Sequence, residues 1–400
     1  MAGELADRAK QIQRKLVDIR RTIHKHPELA FEEKKTSELV VKTLRRVGLK
    51  VKSGVAKTGV VGLIEGRLPG PTVAIRADMD ALNITEESDV PYRSTVDGKM
   101  HACGHDGHVA AAIGAAMLLE GRRFQLPGKV KFIFQPGEEK IPGGAKPMIE
   151  AGVLKRPKVE VIFSLHSDPM IPVGKIGVRD GPLMAAADDF DIIIHGEACH
   201  GARPNLGVDA IAVAAQVIGS LQNIASRRID PLHPVVVSVG RIAGGQRANV
   251  VADRVELNGT FRTLDRRDHR RVRKMIREVA VGVARAGGAR AEVELQQGYP
   301  VLVPDPGANE IVRGAAREVL GKDGVIELPE PVMGAEDFAY FLEQVPGTMF
   351  RLGVRNTKKG IIHPWHHPKF DLDEDALWIG AAILAGAVER WLEARTARDS

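Results

Sequence analysis

The chain has 400 residues, 44% hydrophobic and 27% charged, which supplies a sizeable core and excludes disorder, collagen and coiled coil as whole-chain descriptions. Its 57 Lys and Arg against 51 Asp and Glu leave a net +6 that is spread along the sequence. The length suits two or three domains. Glu4 places acidic charge early with no apolar stretch behind it, and Ala376 to Val388 is shorter than a membrane span needs. A cytoplasmic protein without a membrane partner is therefore expected.

Leu5 to His24 carries apolar residues at helical spacing and stops near Pro27, so it reads as a helix. Strand-like runs follow at Val60–Ile64, Thr72–Arg76, Val130–Phe134 and Val159–Phe163, and Val109–Leu119 reads as a buried Ala-rich helix. Apolar strands separated by helical segments predict a largely parallel sheet covered on both faces. From about Asp188 the order changes to strand (Asp191–Ile194), helix (Val208–Ala225), strand (Val235–Val239), strand (Arg254–Leu264), basic helix (Asp268–Ala286) and strand (Ala291–Leu295). This β-α-β-β-α-β order fits a small antiparallel sheet carrying two helices. After a proline-containing return at Tyr299–Asp305, helix and strand signals resume at Asn309–Leu320, Met349–Val354 and Asp373–Ala394. The expected organisation is α/β: a catalytic domain from residues 1–184 and 299–400, interrupted by a satellite domain at 185–298.

The densest basic run, Arg266 to Lys274, lies on the Asp268–Ala286 helix, whose other face carries Val272, Ile276, Val279 and Val283. A solvated helix face explains it. Aromatics are only 4% of the chain and none interleaves with the run, so nucleic acid is not expected as a partner. The two cysteines, Cys103 and Cys199, exclude a disulfide framework and fit a reducing compartment.

Seven of the 13 histidines fall in three short segments: His101, His105 and His108; His166; and His363, His366 and His367. Asp78 and Asp80 follow one strand, Glu138 and Glu139 another, and His166 a third. Open α/β sheets bind ligands outside the carboxyl ends of their strands, so three strands delivering Asp, Glu and His there predict a metal site. In Met100–His108, thiol and imidazole groups suited to zinc sit beside Gly104 and Gly107, which let the backbone turn Cys103 and His105 toward one centre. The Glu138–Glu139 pair could divide the work, one carboxylate holding metal and the other moving a proton; the residues alone do not say which. A cysteine nucleophile at Cys103 is the alternative, and the converging acidic and imidazole groups favour a ligand.

Six segments together resemble a known family. They are Arg20–Leu29, Arg76–Leu82, Ala102–Asp106 (Ala-Cys-Gly-His-Asp), Gln135–Glu139 (Gln-Pro-Gly-Glu-Glu), Gly334–Phe338 and His366–Asp371. In this order they resemble the metal-dependent amidohydrolases that include N-acyl-L-amino-acid deacylases, thermostable carboxypeptidases and auxin-conjugate hydrolases. The resemblance implies a zinc-peptidase-like catalytic domain with a mostly parallel core sheet, interrupted by a ferredoxin-like α+β lid that often mediates dimerisation. It also implies a two-metal centre held by Cys103, His105, Glu139, His166 and His366, with Glu138 as general base. In the lid, His200 matches a residue thought to stabilise the oxyanion, and Asn249 and Arg262 match polar positions near the substrate. Two divalent ions are implied, zinc first, with manganese, cobalt or nickel as alternatives, and a homodimer or homotetramer.

The sequence departs from that pattern at Asn83, Lys140-Ile141-Pro142, Cys199, Asn205 and Ala252, and none of these removes a matched ligand. The activity implied is hydrolysis of the amide bond of an N-acyl-L-amino acid. The alternatives are a metallocarboxypeptidase acting on peptides with a free C-terminus and, from another class, a non-catalytic metal-containing binding protein.

Overall fold

The computed structural model describes residues 2–399. In chain order the elements are α1 (Ala2–His24), α2 (Lys34–Val47), β1 (Lys50–Val55), β2 (Gly59–Glu65), β3 (Leu68–Asp78), α3 (His105–Glu120), β4 (Pro127–Gln135), α4 (Ala145–Glu150), β5 (Val159–Pro172), β6 (Ile176–Val178), β7 (Ala186–His195), α5 (Ala210–Asn223), β8 (Val235–Gly244), β9 (Arg254–Thr263), α6 (Arg266–Ala286), β10 (Arg290–Tyr299), α7 (Pro306–Leu320), β11 (Val325–Glu327), α8 (Ala339–Leu342), β12 (Gly347–Arg355) and α9 (Asp375–Asp399). The pattern in the sequence does not single out α2, α4, α8, β1, β6 or β11.

The chain divides into two compact units. One runs as far as Gly181 and includes Val303–Glu330 and Tyr340 onward; the other is Pro182–Leu302 with Pro331–Ala339. The second segment of the smaller unit differs from the expected partition, which leaves it with the catalytic stretch. Backbone pairing is the reason: Val332 donates to Leu183 O at 3.1 Å, and Ala185 donates to Gly334 O at 2.9 Å.

In the larger unit eight strands form one sheet in the order β1-β2-β4-β3-β5-β12-β6-β11. The β4-β3-β5-β12 centre is parallel, and β1, β2 and the β12–β6 pair add antiparallel neighbours. Central parallel strands must be apolar on both faces, and Val73, Ile75, Phe132, Phe134, Phe163 and Phe350 are all buried. Ala-rich α3 packs with α1 and α9 over the sheet, its Ala and Gly positions allowing close approach: a Cβ on Gly114 would lie 2.7 Å from that of Ala381.

The smaller unit is an antiparallel sheet in the order β10-β7-β9-β8 with α5 and α6 against it. Asp209 caps α5 by accepting from the Ile211 and Ala212 amides, and Asp265 caps α6 by accepting from Arg267 and Asp268. Helix α6 buries Val272, Met275, Ile276, Ala280 and Ala284, so the basic run occupies its outer face. There Arg271 pairs with Asp268 and Lys274 with Glu278, while Arg273 reaches the buried Asp188 of β7. Among the described residues no helix is long and apolar enough to cross a membrane.

Candidate metal centre

The larger unit gathers the expected ligands at the ends of its central strands. β3 ends at Asp78 and β4 at Gln135, so Asp80 and the Gly137–Glu139 turn follow directly. His166 lies within β5 and does not follow it. Parallel pairing with β12 carries that strand on to Pro172, with His166 opposite Arg351. Helix α3 begins at His105, four residues before the sequence pattern places it, because Gly104 takes a left-handed turn at φ 89°. A Cβ on Gly104 would lie 2.4 Å from the Ser167 hydroxyl oxygen, so glycine is required for close approach as well as for backbone conformation.

The ligand atoms of Cys103, His105 and His166 all lie within 4.8 Å of one another, as do those of Cys103, Glu139 and His366, and those of His105, Glu138 and Glu139. Cys103 is shared by the groups containing His166 and His366, so the cluster is broader than a single ion needs. Cys103 Sγ is 3.6 Å from His166 Nε2, His105 Nε2 is 3.9 Å from Glu139 Oε1, and His366 Nε2 is 3.5 Å from the same oxygen. Cys103, His105, Glu138 and His166 are buried, whereas the His366 side chain is 54% exposed. His366 is held at φ 62°, a left-handed conformation unusual for a side chain of this size, while its N–H donates to Ala102 O at 2.8 Å.

Hydrogen bonds fix which ring nitrogen each histidine presents. His105 Nδ1 donates to Asp80 O at 2.9 Å and His166 Nδ1 donates to Ser167 O at 2.8 Å, leaving Nε2 of each turned toward the cluster. His105 Nε2 and Glu139 Oε1 are buried and, among the described residues, have no hydrogen-bond partner. Two buried polar atoms left 3.9 Å apart with no hydrogen bond to satisfy them are costly unless a cation lies there. The donor set is a thiol, three imidazoles and a carboxylate, and it fits borderline-soft divalent ions.

Protonation follows the same logic. Burial, reinforced by the Glu139 charge, pushes the Cys103 thiol well above its ordinary range. Burial, with His108 and Arg351 adding to it, holds the His166 imidazole well below its usual value, so it is neutral. For His105 burial works in the opposite direction, and Asp78 outweighs it, holding the imidazole well above its usual range. A bound cation must displace the protons of Cys103 and His105.

Asp78 and Asp80, candidate ligands by position alone, are both engaged by hydrogen bonds, and the ligand atoms of Asp78, His105 and His108 also lie within 4.8 Å of one another. Asp78 takes the Arg76 guanidinium and His108 Nδ1, the latter at 2.6 Å. His108 Nε2 accepts from the Ser167 amide at 2.8 Å, so both of its nitrogens are committed and it presents none to the cluster. Asp80 accepts the Glu138 and Glu139 amides, one on each oxygen, at 3.0 and 2.9 Å.

Two further supports escape sequence reasoning. Ser167 donates its hydroxyl to Cys103 O, and its carbonyl also accepts from the Trp365 indole, joining three segments that carry candidate ligands. Only its place next to His166 could have pointed to it. Arg20 is fully buried and donates to Asp106 and Asp371 at 2.7 Å each; His24 adds a 2.8 Å contact to Asp106. The i,i+4 spacing of Arg20 and His24 on one face of α1 was a readable signal.

In the smaller unit His200 is exposed and its Nδ1 accepts from the Ala202 amide at 3.0 Å, so in its neutral form the proton is on Nε2. The Gly201 amide donates to Asn249 O at 2.8 Å, and His200 bridges Val250, which brings the His200 and Asn249 segments together. Arg262 is on β9 of the same unit, donating to Met333 O at 2.8 Å.

A carboxylate pair beside thiol and imidazole groups, at the carboxyl ends of a parallel sheet, defines the class of site found in metal-dependent hydrolases. Comparison with known proteins agrees and is more specific. Residues 74–390 match the model of peptidase family M20/M25/M40, and the chain belongs to that family. It is 42% identical to thermostable carboxypeptidase 2 of Saccharolobus solfataricus, over 96% of this chain and 98% of that protein. It is 43% identical to N-acetylcysteine deacetylase of Bacillus subtilis, over 95% of this chain and 97% of that protein. Among solved structures, the Bacillus subtilis YXEP protein, described as a dinuclear metal binding peptidase of the M20 family, superposes with a TM-score of 0.84. It is 40% identical, covering 96% of this chain and 99% of that one.

Proposed function

We propose that this protein is a metal-dependent amidohydrolase that cleaves N-acyl-L-amino acids, with Cys103, His105, Glu139, His166 and His366 as ligands of two divalent ions. The observation that carries the reading is the unpartnered, buried pair His105 Nε2 and Glu139 Oε1, beside Cys103 and His166 and one residue from Glu138. Zinc suits the thiolate and imidazole donors best, with manganese, cobalt or nickel as alternatives. Bound there, divalent ions would polarise the scissile carbonyl and bring the pKa of water down to about 7.

The remaining chemistry belongs to the chain's own groups. Glu138 takes a proton from the attacking water on a carboxylate oxygen and returns it to the departing amine nitrogen, so one group serves as base and then acid. Burial of Glu138 keeps competing water away. His200 presents Nε2–H as a donor to the oxyanion that develops on the carbonyl oxygen as water adds to the acyl carbon. Asn249 and Arg262 bind the substrate, the guanidinium being suited to a free α-carboxylate. Two free cysteines fit a cytoplasmic location, and the edge strand β8 leaves a sheet edge available for a homodimer.

A second reading, metallocarboxypeptidase activity on short peptides, is favoured by the 42% identity to a thermostable carboxypeptidase. Release of free amine from N-acetyl-L-methionine and from a carbobenzoxy-dipeptide, with added divalent metal and after chelation, separates the two. Metal-dependent cleavage with N-acetyl-L-methionine the faster substrate is the expected result. A faster dipeptide reverses the order of the two readings, and no cleavage of either refutes both.

A further inference from the structure

Glu33 has no place in the scheme above, yet it is a fully buried carboxylate beside the turn that carries Glu138 and Glu139. It occupies the residue before α2 but does not cap that helix. One of its oxygens instead accepts the Gly137 amide at 2.8 Å and the Phe31 amide at 2.9 Å, and the other accepts the Thr58 hydroxyl. Asp80 takes the next two amides. Three consecutive backbone N–H groups, at residues 137, 138 and 139, are thus satisfied by two buried carboxylates from other segments.

The segment bearing Glu33 is itself anchored. Leu29 bridges Ala81, and the Ala81 amide donates to Glu28 O at 2.8 Å, which sets the two carboxylates side by side. Phe31 takes a left-handed φ of 65°, placing its ring over Gly137; a Cβ on Gly137 would lie 2.7 Å from that ring. Strain of this kind persists where surrounding contacts enforce it. Burial pushes the Glu33 carboxyl up to about 7, with Thr58 opposing and Asp80 adding to the rise.

We infer that Glu33 is a positioning residue for hydrolysis: it fixes the Gly137 backbone and so sets the direction in which Glu138 and Glu139 project. The inference rests on the reading of Glu138 as base and Glu139 as ligand. Glutamine can reproduce the clasp, its carbonyl accepting both amides and its amide donating to Thr58, whereas alanine leaves two buried N–H groups without an acceptor.

The test compares wild type, Glu33→Ala and Glu33→Gln in three ways. Hydrogen exchange of the peptide spanning residues 137–139 in metal-free protein should quicken at least about tenfold in Glu33→Ala. Mn2+ titration calorimetry should show affinity weakened by about tenfold, since Glu139 rides on the same turn. The kcat for N-acetyl-L-methionine should fall at least about tenfold with KM within about twofold. Glu33→Gln should restore each quantity to within about threefold. If Glu33→Ala does not fold, Thr58→Val should quicken the same exchange by about threefold. Unchanged exchange in Glu33→Ala (or in Thr58→Val, where that variant stands in), or a Gln variant as impaired as the Ala variant, overturns the inference. Glu138→Ala run alongside separates the two ideas: if it keeps turnover, the base assignment fails, while exchange and Mn2+ affinity still judge the clasp.

Discussion

Replacing Arg20 by methionine should destabilise the larger unit more than any exposed charge could. The guanidinium is fully buried and holds Asp106, also fully buried, at 2.7 Å, Asp371 at 2.7 Å and Glu374 at 3.5 Å. Methionine fills much of the space, so the loss is mainly electrostatic: Asp106 is left in the core with His24 as its remaining partner at 2.8 Å. Removing one member of a buried pair costs about 3–5 kcal/mol, because the other charge stays behind uncompensated. At about 2–4 °C per kcal/mol for a unit of this size, Tm should fall by roughly 6–20 °C. Arg20→Lys should recover only part of this, since a single ammonium cannot fork between two carboxylates. Burial alone would raise the Asp106 carboxyl; Arg20 and His24 outweigh it and hold it well below its ordinary value of 3.8. That stabilisation is present above pH 3.8 and is lost as pH falls toward the folded-state value, so the gap between wild type and Arg20→Met should narrow in acid. Scanning calorimetry of the metal-free protein from pH 2 to pH 8 measures both effects. A variant within about 0.5 kcal/mol of wild type at pH 7 would refute the reasoning.

Three further outcomes are expected. Glu138→Ala should lose at least about 10²-fold in kcat while binding Mn2+ within a few-fold of wild type, and substantial residual turnover would remove Glu138 as the base. Cys103→Asp should keep metal and measurable activity where Cys103→Ala weakens metal binding at least about tenfold; an inactive aspartate variant that still binds metal would revive a nucleophilic thiol. Metal uptake should release protons at pH 7, because the Cys103 thiol and the His105 imidazole are both held above their ordinary values. Affinity should therefore decline as pH falls, and calorimetry in two buffers of different ionisation enthalpy counts the protons; zero release would contradict the ligand set.

Much of this molecule was legible in its residues. Alternating runs of β-branched residues and an Ala-rich segment marked the central strands and α3, because strands buried on both faces and close helix packing need those side chains. The switch to β-α-β-β-α-β order from about Asp188 was equally plain. Segment chemistry drew attention to Cys103, His105, Glu138, Glu139, His166 and His366, since thiol, imidazole and paired carboxylates rarely cluster without a use. What the chain could not announce was how its candidate ligands are hydrogen-bonded. Asp78, Asp80 and His108 carry the same functional groups as the proposed ligands, and only the tertiary structure shows that Arg76, Ser167 and the Glu138–Glu139 amides engage them. The short elements β6 and β11 were silent for a related reason: three residues carry no period, and only their pairing with β12 and with each other makes them strands. Residue type and local periodicity are properties of sequence, whereas the assignment of each donor to its acceptor depends on segments far apart in the chain, 351 positions in the case of Arg20 and Asp371, and is decided only when the chain has folded.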